Sequence, residues 1–124
     1  MREAVIVSTA RTPIGKAHRG ALNNIKSPSL TAHALVHSAL RAGVELAEVE
    51  DVIIGAAMGA GTAGRNLARA AALRGGFGVG VAGATVDRQC ASGLMAISIA
   101  AKQIVVDGMD IVMGGGSENV SALP

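Results

Sequence analysis

The sequence predicts an α/β fold in which helices cover a parallel sheet. Short apolar runs typical of buried strands alternate with longer segments of helical periodicity. Of the 124 residues, 50% are hydrophobic and 16% are charged, which excludes a disordered chain. With 17 glycines, one phenylalanine and no tyrosine or tryptophan, the core must consist of small aliphatic side chains in close layers. We therefore expect one layered domain over residues 1–124, with right-handed crossovers.

The N-terminal third of the chain predicts a strand, a loop and a helix. Ala4–Ser8 has the composition of a short buried strand, and Arg11–Lys16 that of an irregular loop. The dipeptide Ser27–Pro28 is a helix-start signal, because a serine hydroxyl can cap free amides and proline tolerates the first helical position. A helix over Ser29–Ala42 follows, and Gly43 supplies a left-handed end.

The middle of the chain predicts two strands separated by a helix. Asp51–Ala56 is apolar and short enough for a buried strand. After a glycine-rich turn, Arg65–Arg74 has apolar residues at helical spacing, and the pair Gly75–Gly76 ends that helix. A third strand is predicted over Ala84–Asp87.

The helix predicted over Ala91–Val106 is apolar on every side. A helix with this pattern is buried, so we expect it at the centre of the domain. Asp107–Gly108 ends it, and Ile111–Met113 predicts a last strand opening into Gly114–Glu118. Strand and helix alternation through this region supports the layered fold.

Charge and hydropathy exclude several functions. The net charge of +2 and the pI near 9.2 come without a basic run or interleaved aromatic residues, so nucleic-acid binding is not supported. A modestly basic surface still favours an anionic cofactor. No apolar run reaches membrane-spanning length, and because a strand-like run begins near the N-terminus we expect no signal peptide. A single cysteine gives no internal disulfide, so we expect a reducing, cytoplasmic setting.

Cys90 is the candidate nucleophile, because it lies where a predicted strand turns into a predicted helix. Small residues Ser92 and Gly93 keep that turn tight. Free amides and the positive end of a helix stabilise a thiolate, the nucleophilic form of the side chain. The backbone amide of Cys90 can also serve as an oxyanion donor for a tetrahedral intermediate. The alternative is an inert buried cysteine that acts as a small hydrophobe.

A glycine-rich stretch offers a rival hypothesis of dinucleotide binding. Gly59, Gly61 and Gly64 match a dinucleotide fingerprint between a strand and a helix, with Asp87 roughly 20 residues further on. Their amides would then approach a pyrophosphate at the helix N-terminus. Against this, Ala56–Met58 separates the strand from the motif, and two βαβ halves do not fit in the remaining chain. The alternative is a flexible turn with close helix packing.

Two further pairs of side chains carry weaker hypotheses. His33 and His37 lie four residues apart on one helical face, which suits a metal pair, but no third ligand accompanies them and a solvated or packed face is favoured. We therefore predict no metal site. Arg65 and Arg69 could bind phosphate, although arginines in the first turns of a surface helix more often contact solvent or another subunit.

Several separate motifs resemble the thiolases, and the resemblance runs from the first predicted strand to the end of the chain. Val5–Ser8 followed by Ala10–Lys16 is similar to the opening of that family. Thr85–Leu94 is similar to its nucleophile segment, and Gly114–Ser121 to the glycine-rich strand exit that follows. Ketoacyl synthases share the fold and a cysteine elbow, and they are the alternative. The opening segment and the strand exit resemble thiolases more closely.

The resemblance implies a thiolase-like layered αβαβα fold, with this chain as an N-terminal half-unit and a buried central helix starting at Cys90. It implies that Cys90 attacks an acyl-CoA thioester, holds the acyl group as an S-acyl intermediate, and passes it to coenzyme A or an acetyl-CoA carbanion. Coenzyme A is then a substrate or product, with no permanently bound cofactor. Which residues here bind coenzyme A stays open, because the family's pocket lies mostly beyond this chain.

The second half of thiolases carries a histidine that activates the nucleophile, a second cysteine and an asparagine-held water. This chain has one cysteine, and its histidines, His18, His33 and His37, precede Cys90 in segments that match no catalytic motif. The resemblance therefore implies an incomplete N-terminal domain over 1–124, lacking the loop domain and the C-terminal domain. We expect the chain to be inactive alone. The partners implied are another copy, in a homodimer or higher oligomer, or a complementary C-terminal half.

Overall fold

A three-stranded parallel sheet forms the centre of the protein in the computed structural model, which describes residues 1–123. Pro124, the last residue of the predicted domain, lies outside the described residues. In chain order the helices and strands are α1 (Ser27–Ala42), β1 (Asp51–Gly55), α2 (Leu67–Arg74), β2 (Ala82–Val86), α3 (Ser92–Val105) and β3 (Val112–Gly116). β1 lies between β2 and β3. The predicted α/β layering is confirmed.

Residues of β1 point alternately to two cores, because successive strand side chains face opposite sides of a sheet. Val52 and Ile54 pack in a cluster with Leu67 of α2 and Phe77. Ile53 packs on the other face against α3. All five residues of β1 are buried, as expected for a central strand covered on both faces.

The start of α1 differs from the prediction. The helix begins at Ser27 rather than Ser29, and the Ser27 side chain does not cap it. Instead Thr62, from the glycine-rich loop, accepts a hydrogen bond from the Ser27 amide at 3.0 Å through its hydroxyl. A long-range contact thus satisfies the orphan amide that a local cap was expected to satisfy. Gly43 ends α1 in the left-handed conformation, as predicted, with φ of 71°.

The predicted boundaries of α2 and of two strands shift by a few residues. α2 begins at Leu67 instead of Arg65, because Asn66 caps it by accepting from the Arg69 amide at 3.2 Å. The helix ends before Gly75, as predicted. β1 ends one residue early, at Gly55, and β2 covers 82–86 rather than 84–87.

The strand predicted over Ala4–Ser8 is wrong within the described residues. The segment has no strand partner there, and Val5, Ile6 and Val7 are exposed, with Ile6 at 78%. A strand needs a neighbouring backbone to satisfy its amides and carbonyls, and none of 1–123 takes that place. The Arg2–Asp110 ion pair, 2.5 Å long, and a hydrogen bond of 2.8 Å from Arg41 to the Thr9 carbonyl hold the segment.

The central helix is covered on one side only. α3 begins at Ser92 and ends at Val105, one residue inside the predicted bounds at each end. Ala96 and Ala100 are buried against the sheet, whereas Leu94 is 73% exposed. The all-round apolar pattern predicted burial on every side, and residues 1–123 provide no layer over the outer face.

The last strand is longer than predicted and shifted toward the C-terminus. It covers Val112–Gly116, so its glycines are paired strand residues rather than a loop. At Gly114 a Cβ would lie 2.9 Å from the Cα of Ile97. Glycine here lets α3 pack directly on the strand backbone.

Candidate active site

The carboxyl ends of the three strands meet at one edge of the sheet. Gly55, at the end of β1, pairs in register with Val86 of β2 and with Gly116 of β3. In open parallel sheets, ligands bind outside this edge, where the strands hand over to loops and helices. Each of the three strands ends at this edge, and the chain that leaves β2 leads directly to Cys90.

A tight elbow joins β2 to α3 and carries Cys90. Gln89 has φ of 51°, a left-handed conformation that is uncommon for a residue with a side chain. Asp87 accepts a hydrogen bond of 2.8 Å from the Gln89 amide through Oδ1. Cys90 follows and is exposed, two residues before the helix begins. The predicted position of Cys90 between a strand and a helix is confirmed, and within residues 1–123 the side chain is exposed rather than buried.

Three glycines allow the start of α3 to lie against the sheet edge. A Cβ at Gly55 would overlap the carbonyl oxygen of Ser92 and lie 2.6 Å from the nitrogen of Gly93. A Cβ at Gly116 would lie 3.0 Å from the Cα of Gly93. No other residue type fits at Gly55 without moving the backbone. The position of Cys90 relative to the sheet thus depends on close approach of backbone to backbone.

A cleft of about 410 Å³ opens at this edge. Cys90 lines it together with the glycines of the sheet edge, Ser92 at the helix start and Glu118 beyond β3. The Glu118 carboxylate accepts hydrogen bonds from the amides of Ala57 at 2.7 Å and Met58 at 3.4 Å. Glu118 thereby ties the loop after β1 to the loop after β3, and fixes one wall of the cleft.

The histidines lie away from Cys90. His33 and His37 are exposed on α1 and line a different cleft, of about 260 Å³, with ring centroids 4.4 Å apart. His18 is exposed, and its amide donates to the hydroxyl of Ser121 at 2.8 Å. Within residues 1–123, no group of three or more His, Cys, Asp or Glu side chains could hold a metal. The structure therefore brings no imidazole into the Cys90 cleft.

The glycine-rich stretch serves contacts within the chain. Gly61, with φ of 59°, starts a short 3₁₀ turn, and a Cβ there would lie 2.7 Å from the carbonyl oxygen of Ala122. Thr62 binds the start of α1. The helix that follows begins three residues after Gly64 and has the side chain of Asn66 at its N-cap. These contacts support a packed turn rather than a pyrophosphate cradle.

The two arginines considered for phosphate binding separate in the structure. Arg65 is exposed and left-handed, with φ of 62°, and lies outside α2. Arg69 donates to the carbonyl oxygens of Val81 and, at 3.2 Å, Val79, and so braces the loop before β2. Arg69 is thus engaged within the chain.

Sequence reasoning missed the hydroxyl of Ser92 and the carboxylate of Glu118. The first had a weak signal, since a serine at a helix start often bonds back to the preceding turn. Glu118 had none, because its partner Ala57 lies 61 residues earlier in the chain. The packing role of Gly55 was equally hidden, because it depends on where α3 crosses the sheet.

Comparisons with known proteins decide the family. The family model described as the thiolase N-terminal domain matches residues 4–124. The chain belongs to the thiolase family. It is 40% identical to a 3-ketoacyl-CoA thiolase of Bacillus subtilis and 42% identical to an acetyl-CoA acetyltransferase of Cupriavidus necator, in each case over 100% of this chain.

A solved thiolase-fold structure agrees with the fold. The crystal structure of the Bacillus anthracis acetyl-CoA acetyltransferase superposes with a TM-score of 0.93 at 41% identity, and covers 100% of this chain. The predicted family and the thiolase-like fold are confirmed, which favours thiolase over ketoacyl synthase. The chain spans 32% and 31% of the length of the two relatives and 31% of the solved chain. In residues 1–123, no helix is long and apolar enough to cross a membrane.

Proposed function

We propose that this chain supplies the nucleophile of a thiolase-type acyltransferase that acts on acyl-CoA thioesters through an S-acyl cysteine. The observation that carries the proposal is the exposed Cys90, on a left-handed elbow at the start of α3, in a cleft at the carboxyl edge of the sheet. Membership of the thiolase family supports it. An exposed thiol at a helix start has access to substrate and to stabilising amides.

The reaction follows from the chemistry of a thiolate and a thioester. Cys90 loses its proton to a base, and Sγ attacks the thioester carbonyl carbon to form a new S–C bond. The backbone amide of Cys90 stabilises the oxyanion. Collapse breaks the carbon bond to the coenzyme A sulfur, which leaves as a thiolate and takes up a proton. In the condensing direction the acyl group then passes to the carbanion of an acetyl-CoA, which forms when a base removes its α-proton, and Cys90 leaves as a thiolate. In the cleaving direction Sγ attacks the 3-keto carbon of a 3-ketoacyl-CoA, the C2–C3 bond breaks to release acetyl-CoA once its carbanion takes up a proton, and the acyl group passes from Cys90 to the thiol of coenzyme A.

We propose that residues outside this chain complete the site. Within 1–123 no histidine and no second cysteine lines the cleft, and a general base must lie within hydrogen-bond reach of the proton it takes. Exposed apolar side chains on the N-terminal segment and on the outer face of α3, such as Ile6 and Leu94, support a covering layer. In this proposal residues 1–124 are an incomplete N-terminal domain, completed by a complementary C-terminal half.

The setting is also proposed. We place the protein in the cytoplasm as a homodimer or higher oligomer, with coenzyme A as a passing substrate or product and no permanent cofactor. Light scattering after size exclusion tests the oligomer, because a mass equal to one 12.3 kDa chain at micromolar concentration contradicts self-association.

A chimera tests the function. Residues 1–124 would replace the matched 31% of the acetyl-CoA acetyltransferase of Cupriavidus necator, to which the chain is 42% identical. We expect the chimera to cleave acetoacetyl-CoA with coenzyme A, and Cys90→Ser to abolish that activity. A Cys90→Ser chimera that keeps full activity contradicts the role of Cys90.

The chain alone provides the matching control. Because the cleft as formed by residues 1–123 contains no histidine base, we expect residues 1–124 to cleave acetoacetyl-CoA no faster than the uncatalysed reaction in buffer. Measurable turnover, lost in Cys90→Ser, would contradict the claim that residues outside the chain complete the site, while leaving the nucleophile in place.

A further inference from the structure

The elbow that carries Cys90 contains a strained residue beside a buried hydroxyl. Gln89 is left-handed, with φ of 51°, a conformation that costs a side-chain-bearing residue free energy and persists only where its surroundings enforce it. Ser92 is 3% exposed. Its hydroxyl accepts a hydrogen bond of 2.7 Å from the amide of Arg88 and donates one of 2.6 Å to the carbonyl of Gln89. The single hydroxyl therefore bridges the two ends of the Arg88–Gln89 dipeptide, from the Arg88 amide to the Gln89 carbonyl.

Ser92 is itself fixed to the sheet. Its carbonyl group lies where a Cβ of Gly55 would be, so its backbone rests directly on the central strand. β1 is buried on both faces, so the backbone of Ser92 rests on a strand that is packed on all sides. The hydroxyl therefore connects the exposed elbow to the buried central strand.

We propose that Ser92 is a positioning residue for Cys90, whose hydroxyl holds Gln89 in the left-handed conformation and so fixes the nucleophile and its amide beside the cleft. This inference rests on the proposed function. Within residues 1–123 the elbow has three other hydrogen bonds: an exposed one from the Gln89 amide to Asp87, and two backbone bonds, from the Ala91 amide to the Arg88 carbonyl at 3.0 Å and from the Ser92 amide to the Gln89 carbonyl at 3.1 Å. None of them binds the Arg88 amide, so within the described residues the Ser92 hydroxyl alone links that amide to the Gln89 carbonyl.

Two reagents separate positioning from general reactivity at Cys90, the sole cysteine of the chain. S-phenyl thioacetate transfers an acetyl group: Sγ forms a bond to the carbonyl carbon, an oxyanion develops, and thiophenolate leaves. Iodoacetamide alkylates the same sulfur and expels iodide, with no oxyanion. The ratio of acetylation to alkylation rates, followed by intact mass, therefore reports the alignment of the amide with the sulfur.

In Ser92→Ala we expect this ratio to fall about tenfold, roughly the effect of removing one to two hydrogen bonds from the elbow. Ser98→Ala, on the same helix but outside the elbow, should leave the ratio within about twofold of the unmodified chain. Ser92→Thr keeps the hydroxyl and should also stay within about twofold. Circular dichroism confirms that each variant is folded.

Glycine at position 89 tests the cause. Gln89→Gly adopts the left-handed conformation without strain, so Ser92→Ala combined with Gln89→Gly should regain at least about half of the lost ratio, on a logarithmic scale. A folded Ser92→Ala variant with an unchanged ratio of acetylation to alkylation overturns the inference. A Ser92→Thr variant whose ratio falls as far as that of Ser92→Ala also overturns it, as does a double variant whose ratio does not recover. If Ser92→Ala fails to fold, Ser92→Thr still decides, because its ratio is compared with that of the unmodified chain.

The unmodified chain separates this inference from the function on which it rests. If its Cys90 is acetylated no faster than a free cysteine peptide, the elbow does not position Cys90 and the inference falls, whereas the role of Cys90 in the completed site is decided by the Cys90→Ser chimera. If Cys90 is acetylated faster and Ser92→Ala matches it, only the role of Ser92 falls.

Discussion

Replacing Gly55 with alanine should displace the start of α3 from the sheet. The new Cβ would overlap the Ser92 carbonyl oxygen and lie 2.6 Å from the Gly93 nitrogen, whereas ordinary contacts are 3.4–4 Å. The helix start must therefore retreat by about 0.8 Å at Gly93 alone, and more at Ser92. Both obstructing groups are backbone, so no side-chain rotation relieves the overlap.

The free energy follows from that overlap. Overpacking a buried site costs about 1–3 kcal/mol and sometimes more, and a clash with backbone belongs at the upper end, at about 3 kcal/mol. A domain of this size is stable by roughly 5–15 kcal/mol, so the loss is a large fraction of the total. With a urea m-value of about 1–3 kcal/mol/M, the unfolding midpoint should fall by about 1–3 M.

Urea unfolding followed by circular dichroism measures this change, with Gly115→Ala as the matched control. Gly115 lies on β3, and a Cβ there meets nothing closer than Ile54 Cδ1 at 4.0 Å. Its substitution should change the unfolding free energy by less than about 1 kcal/mol, since alanine suits a strand better than glycine does. If Gly55→Ala unfolds at the same urea concentration as Gly115→Ala, the start of α3 does not pack directly on the backbone of Gly55.

Other substitutions test the remaining contacts. Leu67→Ala should lower the free energy of unfolding by about 2–5 kcal/mol, because the Leu67 side chain is 0% exposed. Leu73, on the same helix, is 47% exposed, so Leu73→Ala should lower it by less than about 1 kcal/mol. Equal urea midpoints for the two variants would contradict the described core. Thr62→Val should lower the free energy of unfolding by about 1–2 kcal/mol, because it leaves the Ser27 amide and hydroxyl without their hydrogen-bond partner. An unchanged thermal midpoint would refute a stabilising role for the contact between Thr62 and Ser27. Asn66→Ala should cost about 1 kcal/mol by loss of the α2 cap, read from the same melting curves, and stability equal to the unmodified chain would speak against the cap.

The sequence was most informative where structure depends on local periodicity. The helix ended by Gly43 and the central strand of the sheet lie within about two residues of their predicted bounds. The position of Cys90 between a strand and a helix was predicted for the same reason. The order of the strands could not be read from periodicity, because pairing depends on distant segments.

Predictions failed where a partner segment was assumed. Ala4–Ser8 has the composition of a strand, and the outer face of α3 that of a core, yet in residues 1–123 both are exposed. Composition reports what a segment can bury, and burial also requires a surface to cover it. The prediction that Ser27 caps the start of α1 failed for a different reason: the distant Thr62 supplies the oxygen that a local side chain was expected to supply.

The central claim is that Cys90 is a positioned acyl acceptor, and its acetylation rate tests this most directly. The second-order rate constant for acetyl transfer from S-phenyl thioacetate to the chain would be compared with that of an unstructured peptide of residues 86–94 at the same pH. We predict faster transfer to the folded chain, with a single acetyl group that is absent from Cys90→Ser. Transfer at or below the rate of the peptide would contradict the claim that the fold positions Cys90 as an acyl acceptor.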